Sequence, residues 1–441
     1  MRKETDFIGE VTLADDDLYG IETLRAINNF PLGYRKASLR LVYSMVKIKK
    51  AAAKTYLSLG VDERVYMSIV EACDRILAGE ADDYFVTDAL QGGAGTSLHM
   101  NVNEVVANLA LKILGAAPGS YDLIHPLDDV NRGQSTNDVY PTALRITAIE
   151  MLRKLSDECA KLQESLQKKE NEFDFIDKLG RTELMDAIPV TLGEEFGSYA
   201  QGIARDRWRL YKIEERLRQV NIGGTAVGNS NNTLKKYCFG VIEELREITG
   251  IGLAAAEYPM DITQNNDVFV EVSGLLKALA VNLFKIANDL RLMNSGPQGG
   301  FGEIRLQAMQ MGSTIMPGKV NPVIPEAVMQ TSMRVMANDN AITMAAAHGD
   351  FELNAFLPLI ADALIESLSL MENAVLIFRE KCVDLITADE DRCRELLKES
   401  CAFATSYTPL LGYEAVSNIL KECGGDPVKT KAALEKATKE K

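Results

Sequence analysis

The stretch GSTIMPGKVNPVIPE, Gly312 to Glu326, places a hydroxyl pair, Ser313 and Thr314, close to one cation, Lys319, and one amide, Asn321. Glycines at 312 and 318 give backbone freedom, and prolines at 317, 322 and 325 limit it. A loop of that composition moves between few shapes and carries its polar groups with it. An apolar run follows Pro325, so the loop feeds a helix N-terminus, where unpaired N–H groups favour anions. Three more glycine-containing loops carry polar side chains of the same kinds. They hold Thr96 and Ser97 in QGGAGTS, Ser135, Thr136 and Asn137 in NRGQSTNDVYP, and Thr182 with Glu183 in LGRTELMDAIP. A small anion such as a dicarboxylate is well served by many neutral donors around a single lysine. Taken singly the loops are weaker signals, because Ser-Thr-Asn before a helix, or Thr96–Ser97 alone, is also an ordinary N-cap. The glycine run GPQGGFG, Gly296 to Gly302, lacks the Lys-Ser/Thr ending of a phosphate cradle and reads as structural.

The elements that hold these loops are helices. Apolar spacing predicts them over about 37–59, 62–77, 101–114, 142–171, 192–220, 265–293, 326–347 and 360–382. In the 265–293 segment Val272, Leu275, Leu276, Leu279, Leu283, Ile286 and Leu290 step by three and four, while Val281 and Phe284 add apolar surface on other faces. A helix apolar nearly all round is one buried among others. Strand signals are few, so the expected class is all-α in the main, a bundle of long helices joined by polar loops. The expected division is a mostly helical N-terminal domain over 1–135, a central long-helix bundle over 136–388, and a small helical C-terminal domain over 389–441.

Composition narrows the function. The chain has 441 residues, 46% hydrophobic, with a net charge of −15. An acidic balance argues against a nucleic-acid partner, which needs clustered Lys and Arg, but leaves room for one local lysine on an anionic substrate. Seven cysteines without a C-x-x-C pair give neither a disulfide framework nor a zinc spacing. Histidine occurs only at 99, 125 and 348, too scattered for a metal site. No signal segment opens the chain, and no run of 18 apolar residues occurs. A cytoplasmic enzyme without membrane contact, metal or cofactor is expected.

Five motifs together resemble the aspartase/fumarase superfamily. GSTIMPGKVNP is similar to its signature loop, and QGGAGTS, GQSTNDVYPT, LGRTELMDAIPVTLGEEF and VNIGGTAVG occur in the family's order. The opening GEVTLADDDLYGIETLRAINNF is also similar, so the resemblance covers roughly residues 7 to 420. VNPVIPE and ELNAFLPLI stand closer to the aspartate ammonia-lyase branch than to class II fumarase. The resemblance implies a three-domain fold whose central helices form a twenty-helix core in a homotetramer, with each active site shared by three chains. It implies anti-elimination of ammonia from L-aspartate to fumarate through an enediolate. Ser313 would be the base at Cβ, and Lys319 and Asn321 would hold the α-carboxylate. Thr96, Ser135 and Thr136, with the backbone at Thr314, would bind the β-carboxylate. Asn137 and Thr182 would contact the amino group. The Ala-Ser-Gly triplet that forms the internal cofactor of histidine ammonia-lyases is absent.

Four departures bear on the substrate. Glu183 stands where class II fumarases have His, and a carboxylate suits an ammonium group better than a neutral hydroxyl. Glu326 occupies the position of the family's Glu partner to that His; two close carboxylates would share one proton, and the pair is a candidate to hold or protonate the leaving amine. GNSNN, Gly228 to Asn232, replaces the usual GTGLN and opens the way to a related amino acid or an N-substituted aspartate. Thr314 replaces a second Ser, and the chain ends at Lys441, short of the family's usual end, so a shortened C-terminal domain is expected. The alternatives are a sister C–N lyase acting on another amine-bearing acid, a class II fumarate hydratase, and a non-enzymatic homologue of the lens-crystallin kind.

Overall fold

The computed structural model describes residues 1–440. A hairpin of β1 (Arg2–Thr5) and β2 (Glu10–Leu13) precedes α1 (Ile21–Asn29), α2 (Leu39–Ser58), α3 (Glu63–Leu77), α4 (Thr96–Ile113) and α5 (Thr136–Glu172). A second hairpin, β3 (Asp177–Thr182) with β4 (Met185–Thr191), leads into α6 (Leu192–Leu217). The short parallel pair β5 (Gln219–Val220) and β6 (Ala254–Ala255) flanks α7 (Lys235–Thr249). Then come α8 (Pro259–Gln264), α9 (Asp267–Met293), β7 (Ile304–Arg305), α10 (Val323–Ala347) and α11 (Leu357–Lys381). β8 (Thr387–Ala388) pairs with β7, and α12 (Glu390–Lys398), α13 (Thr408–Leu411), α14 (Tyr413–Glu422) and α15 (Pro427–Lys439) follow. The fold is mainly helical, as expected.

The chain groups into two compact units. One holds Met1–Lys154, Arg209–Lys277 and Arg334–Leu370; the other holds Leu155–Trp208, Ala278–Met333 and Met371 onward. The helices α5, α6, α9, α10 and α11 contribute residues to both. They are 25 to 37 residues long. At about 1.5 Å per residue they span roughly 38–55 Å.

In the first unit α4 is buried nearly all round, yet carries a row of polar residues. That row ties down irregular chain. Asn101 accepts from the Val86 N–H and donates to the Tyr84 carbonyl. Asn108 donates to the Leu18 carbonyl and accepts from the Gly119 N–H. Glu104 accepts from the backbone N–H groups of Gly20, Glu22 and Thr23 and from the Thr23 hydroxyl, which caps α1. Buried polar groups that are each paired fix a unique arrangement, and here they fix the position of α4.

Two helix starts differ from the periodicity. α4 begins at Thr96, not near 101, because the chain turns at Gly95 with φ +96 and enters the helix directly. A Cβ on Gly95 would lie 2.2 Å from the Tyr140 ring, so both the turn and the packing demand glycine. α5 begins at Thr136 rather than 142 and contains Pro141. The proline removes the N–H that would bond the Asn137 carbonyl, and that carbonyl accepts from Asn221 Nδ2 at 3.0 Å instead. The stretch expected as a third polar loop, Leu179 to Pro189, is β-structure: it lies within the β3–β4 hairpin, with Glu183 (φ +55) and Leu184 (φ +64) as its two-residue turn. Two left-handed residues match the twist of the flanking strands, which is what lets so short a turn close them. Its one buried run, Lys178 to Gly180, is too short to give a sequence signal.

Among the described residues no helix is long and apolar enough to cross a membrane.

Candidate active site

The first cluster forms where two helices begin. Thr96 opens α4, and its hydroxyl donates to the Gly93 carbonyl at 2.7 Å. Ser135 caps α5: its Oγ accepts the Asn137 N–H at 3.2 Å, while its own N–H donates to Asp138 Oδ1 at 3.0 Å. This reciprocal pairing is a capping box with Asp in the carboxylate role. The cap reading of Ser-Thr-Asn is therefore correct, and it leaves Thr136 and Asn137 in the first turn of the helix. Asn137 Nδ2 donates to the Ala226 carbonyl at 2.8 Å, and Asp138 Oδ2 accepts the N–H groups of Gly223 and Thr225. Burial pushes the Asp138 carboxyl up to about 6, against the pull of those N–H donors. The GGTAVG motif is thus tied to the start of α5. Beyond it Gly228 is buried and Asn229 to Asn232 are exposed, with Ser230 and Asn232 at left-handed φ values.

His99 Nδ1 lies 2.8 Å from Thr136 Oγ1, which brings the first turn of α4 against the start of α5. Two helix N-termini that carry Thr96, Ser135 and Thr136 thus lie together, and the unpaired N–H groups of such helix starts favour anions. His99 and, behind it, Lys49 are partners that the motifs did not point to. The available signal was the spacing of His99 three residues after Thr96, which puts both on one face of α4.

The second cluster is the hairpin tip with Thr182 and Glu183. Both are exposed, and among the described residues Glu183 takes part in no ion pair. What positions them lies at the base of the hairpin. Glu303, 0% exposed, pairs with Arg181 at 2.8 Å and Lys178 at 3.3 Å, and Lys178 also reaches Glu195 at 2.9 Å. The Arg181 guanidinium stacks 4.2 Å from the centre of the Phe301 ring. A cleft of about 380 Å³ opens beside Glu183, lined by Arg181, Glu195, Tyr199, Lys285 and Asp289. The glycine run 296–302 supports this base: Ser295 Oγ accepts the Phe301 N–H, and Arg392 donates to the Phe301 carbonyl.

The third cluster is the 312–322 loop. The Gly312 N–H donates to the Lys319 carbonyl at 2.9 Å, and Asn321 Nδ2 donates to the Gly312 carbonyl at 2.7 Å. A Cβ on Gly312 would meet the Lys319 carbonyl oxygen at 2.5 Å, so only glycine lets the two ends touch. Lys319 Nζ donates to Asn321 Oδ1 at 2.7 Å, which sets the cation and the amide side by side. Ser313 Oγ accepts two backbone N–H groups, from Ile315 at 3.2 Å and Met316 at 2.8 Å. Thr314 is exposed next to it, and Glu326 is half-buried in the first turn of α10. Ser313, Thr314, Lys319, Asn321 and Glu326 are thus brought onto one loop and helix start, and Thr96, Ser135, Thr136 and Asn137 onto another pair. Among the described residues no hydrogen bond joins Glu183 to Glu326.

The chain is mainly helical, with its polar clusters at two helix starts, at a hairpin tip and on the loop before α10, an arrangement that suits a helical lyase. A family model described as "Lyase" matches residues 9–337. An aspartate ammonia-lyase of Bacillus sp is 43% identical over 423 residues, 96% of this chain and 90% of that protein. The structure of a fumarate lyase:delta crystallin from Brucella melitensis bound to cobalt superposes with a TM-score of 0.93 at 43% identity, covering 99% of this chain and 98% of the other. A class II fumarase from Schistosoma mansoni gives a TM-score of 0.94 at 31% identity, covering 100% and 95%. The chain belongs to this lyase family, within the aspartase/fumarase superfamily.

Proposed function

We propose that the protein is a carbon–nitrogen lyase that eliminates ammonia from L-aspartate to give fumarate, with Ser313 as the base. The observation that carries the reading is the pair of backbone N–H groups aimed at Ser313 Oγ. Hydrogen bonds to the charged form lower a pKa, so these donors favour the alkoxide that removal of the Cβ proton needs. The relatedness to an aspartate ammonia-lyase over nearly the whole chain supports the substrate.

In this reading Lys319 and Asn321 hold the α-carboxylate, and Thr96, Ser135 and Thr136 hold the β-carboxylate with help from the Thr314 backbone. Removing the Cβ proton places a second negative charge on the β-carboxylate as an enediolate. The paired N-termini of α4 and α5 are preorganised for that charge, and preorganised dipoles act without reorganisation cost. Asn137 and Thr182 contact the amino group, and Glu183 with Glu326 holds or protonates it as it leaves. The clusters meet across chains in a homotetramer, where five long helices per chain make the twenty-helix core and the parts 1–135, 136–388 and 389–441 act as its domains. Exposed apolar side chains on the long helices, Trp208, Tyr211, Val281, Met333 and Met344, support such an assembly.

The test is ammonia or amine release from a panel of L-aspartate, N-substituted aspartates and other amino acids, with L-malate dehydration followed in parallel. Aspartate turnover with negligible malate turnover is the expected result. Malate as the preferred substrate points to a hydratase and overturns the reading. A sister specificity has one observation in its favour, the exposed turn at Asn229 to Asn232, and preference for a bulkier amine in the panel would establish it.

The role of Glu183 is separable. Glu183→Gln is expected to lower kcat for deamination by about 10²-fold or more, the low end for a lost proton-transfer group. Glu183→His, which can still carry a proton, is expected to recover part of that loss. Steady-state rates equal to wild type in both variants would remove Glu183 from the reaction.

A further inference from the structure

The Thr136 hydroxyl is backed by two buried side chains in series. His99 and Lys49 are each 1% exposed. His99 Nδ1 lies 2.8 Å from Thr136 Oγ1, and His99 Nε2 lies 2.6 Å from Lys49 Nζ. The same lysine nitrogen reaches Asn131 Oδ1 at 2.9 Å and Gln134 Oε1 at 2.8 Å. An ammonium has three N–H donors and no acceptor, and all three here end on neutral partners.

That donor count sets a direction. Lys49 donates, so His99 Nε2 accepts. Burial and the Lys49 cation hold the imidazole neutral, well below the usual His range. A neutral imidazole that accepts at Nε2 carries its proton on Nδ1 and donates it to Thr136 Oγ1. Thr136 then has its acceptor role filled from behind and its own proton free to point outward.

We propose that Lys49 and His99 are positioning residues for the reaction: a one-way donor relay that presents the Thr136 hydroxyl to the substrate carboxylate and sets a buried cation behind it. The proposal rests on the reading of Thr136 as a carboxylate ligand. A neutral hydroxyl backed by a charge two hydrogen bonds away responds to the enediolate more strongly than an isolated one, because polarised chains strengthen cooperatively. No proton has to be transferred for the relay to act.

The charged and titratable groups that face Lys49 come from each neighbouring helix. From α3 there is Cys73, whose thiol burial pushes up to about 12, so it stays neutral. From α4 there is His99. From α5 there is Asp138, whose oxygens are taken by the N–H groups of Ser135, Gly223 and Thr225. On α7, which also packs on α2, Tyr237 is a phenol that burial keeps neutral and Glu244 pairs with Lys54. Burial lowers the Lys49 ammonium to about 7. As the pH rises through 7 the free protein loses the cation, and a bound dianion that favours the charged form must then draw the proton back. Dicarboxylate affinity therefore weakens above that pH.

The experiment measures the dissociation constant of succinate, a non-reacting dicarboxylate, on the assembled full-length enzyme by calorimetry from pH 6 to 8.5. In the wild type it is expected to rise at least about fivefold from pH 6.5 to 8.5, since a single coupled proton gives at most tenfold per unit. Lys49→Met is expected to bind about tenfold more weakly at pH 6.5 and to lose most of the pH dependence. A flat wild-type profile overturns the relay, as does a Lys49→Met profile that coincides with wild type in protein of native helicity and oligomeric state. Where Lys49→Met fails to fold, His99→Leu decides in the same titration: weaker binding upholds the relay and wild-type binding overturns it. Aspartate turnover, measured separately, keeps the two readings apart. Turnover with unaltered variants defeats the relay alone, and relay-like succinate binding without turnover defeats the substrate alone.

Discussion

Ser313→Ala is expected to lower kcat for ammonia release from aspartate by about 10²–10⁴-fold, the span that a positioned general base supplies. The change removes one oxygen and leaves the loop closed, because the Gly312–Lys319 and Asn321–Gly312 bonds do not use the Ser313 side chain. KM is expected to move little, since Lys319 and Asn321 retain their pairing. A fall in kcat with a steady KM marks an interaction made in the transition state rather than in substrate binding. The N–H groups of Ile315 and Met316 lose their acceptor, but both lie on exposed chain where water replaces it. Steady-state kinetics on protein with unchanged helicity would decide the matter. A kcat within a few-fold of wild type would move the base elsewhere and leave Ser313 as a turn residue.

Glu303→Ala is expected to be the most damaging change away from the reacting groups. It strips a buried carboxylate from Arg181 and Lys178, of which Lys178 is itself buried. Removing one partner of a buried ion pair typically costs about 3–5 kcal/mol, because the charge left behind is desolvated and uncompensated. The loss falls on the base of the hairpin that carries Thr182 and Glu183. Stability and turnover should therefore drop together, seen as a lower urea midpoint and a reduced kcat for aspartate. Glu303→Gln keeps the shape and one acceptor and should lose less of both. An unshifted urea midpoint in Glu303→Ala would show that the cluster contributes nothing net.

How far the sequence carried the fold depends on the range of the forces involved. Helices with three-to-four spacing were legible because burial of a helix face leaves a local record: Val272, Leu276, Leu279, Leu283, Ile286 and Leu290 of α9 are all buried. Val281 is exposed on the chain, so the apolar character on that other face is not explained by the fold of one copy. The hairpin was not legible. Its turn carries Glu183 and Leu184 rather than Asn or Gly, and its strands are held by Glu303, 122 residues downstream of Arg181. The start of α5 was missed because Pro141 reads as a boundary, whereas a single side chain, Asn221, takes over the carbonyl that it releases. At the candidate site the proposed ligand residues were legible as motifs, each a compact local string. Lys49 and His99 were not: they are 50 residues apart and acquire meaning only when α2, α4 and α5 meet.

The ties between α5 and the 220–232 segment bear on how such an enzyme changes its diet over evolutionary time. Asn137, Asp138 and Asn221 fasten the near end of that segment, Asn221 through Ala226, to the start of α5 by amide and carboxylate bonds that do not use the side chains of 229–232. Mutations in GNSNN can therefore accumulate without moving Ser135 or Thr136. Selection for a new amine could act on one short turn while the machinery for the carboxylate stays as it is. The constraint falls on Gly228, where a Cβ would strike the backbone of Met260 at 2.4 Å, so this one position of the turn is closed to variation.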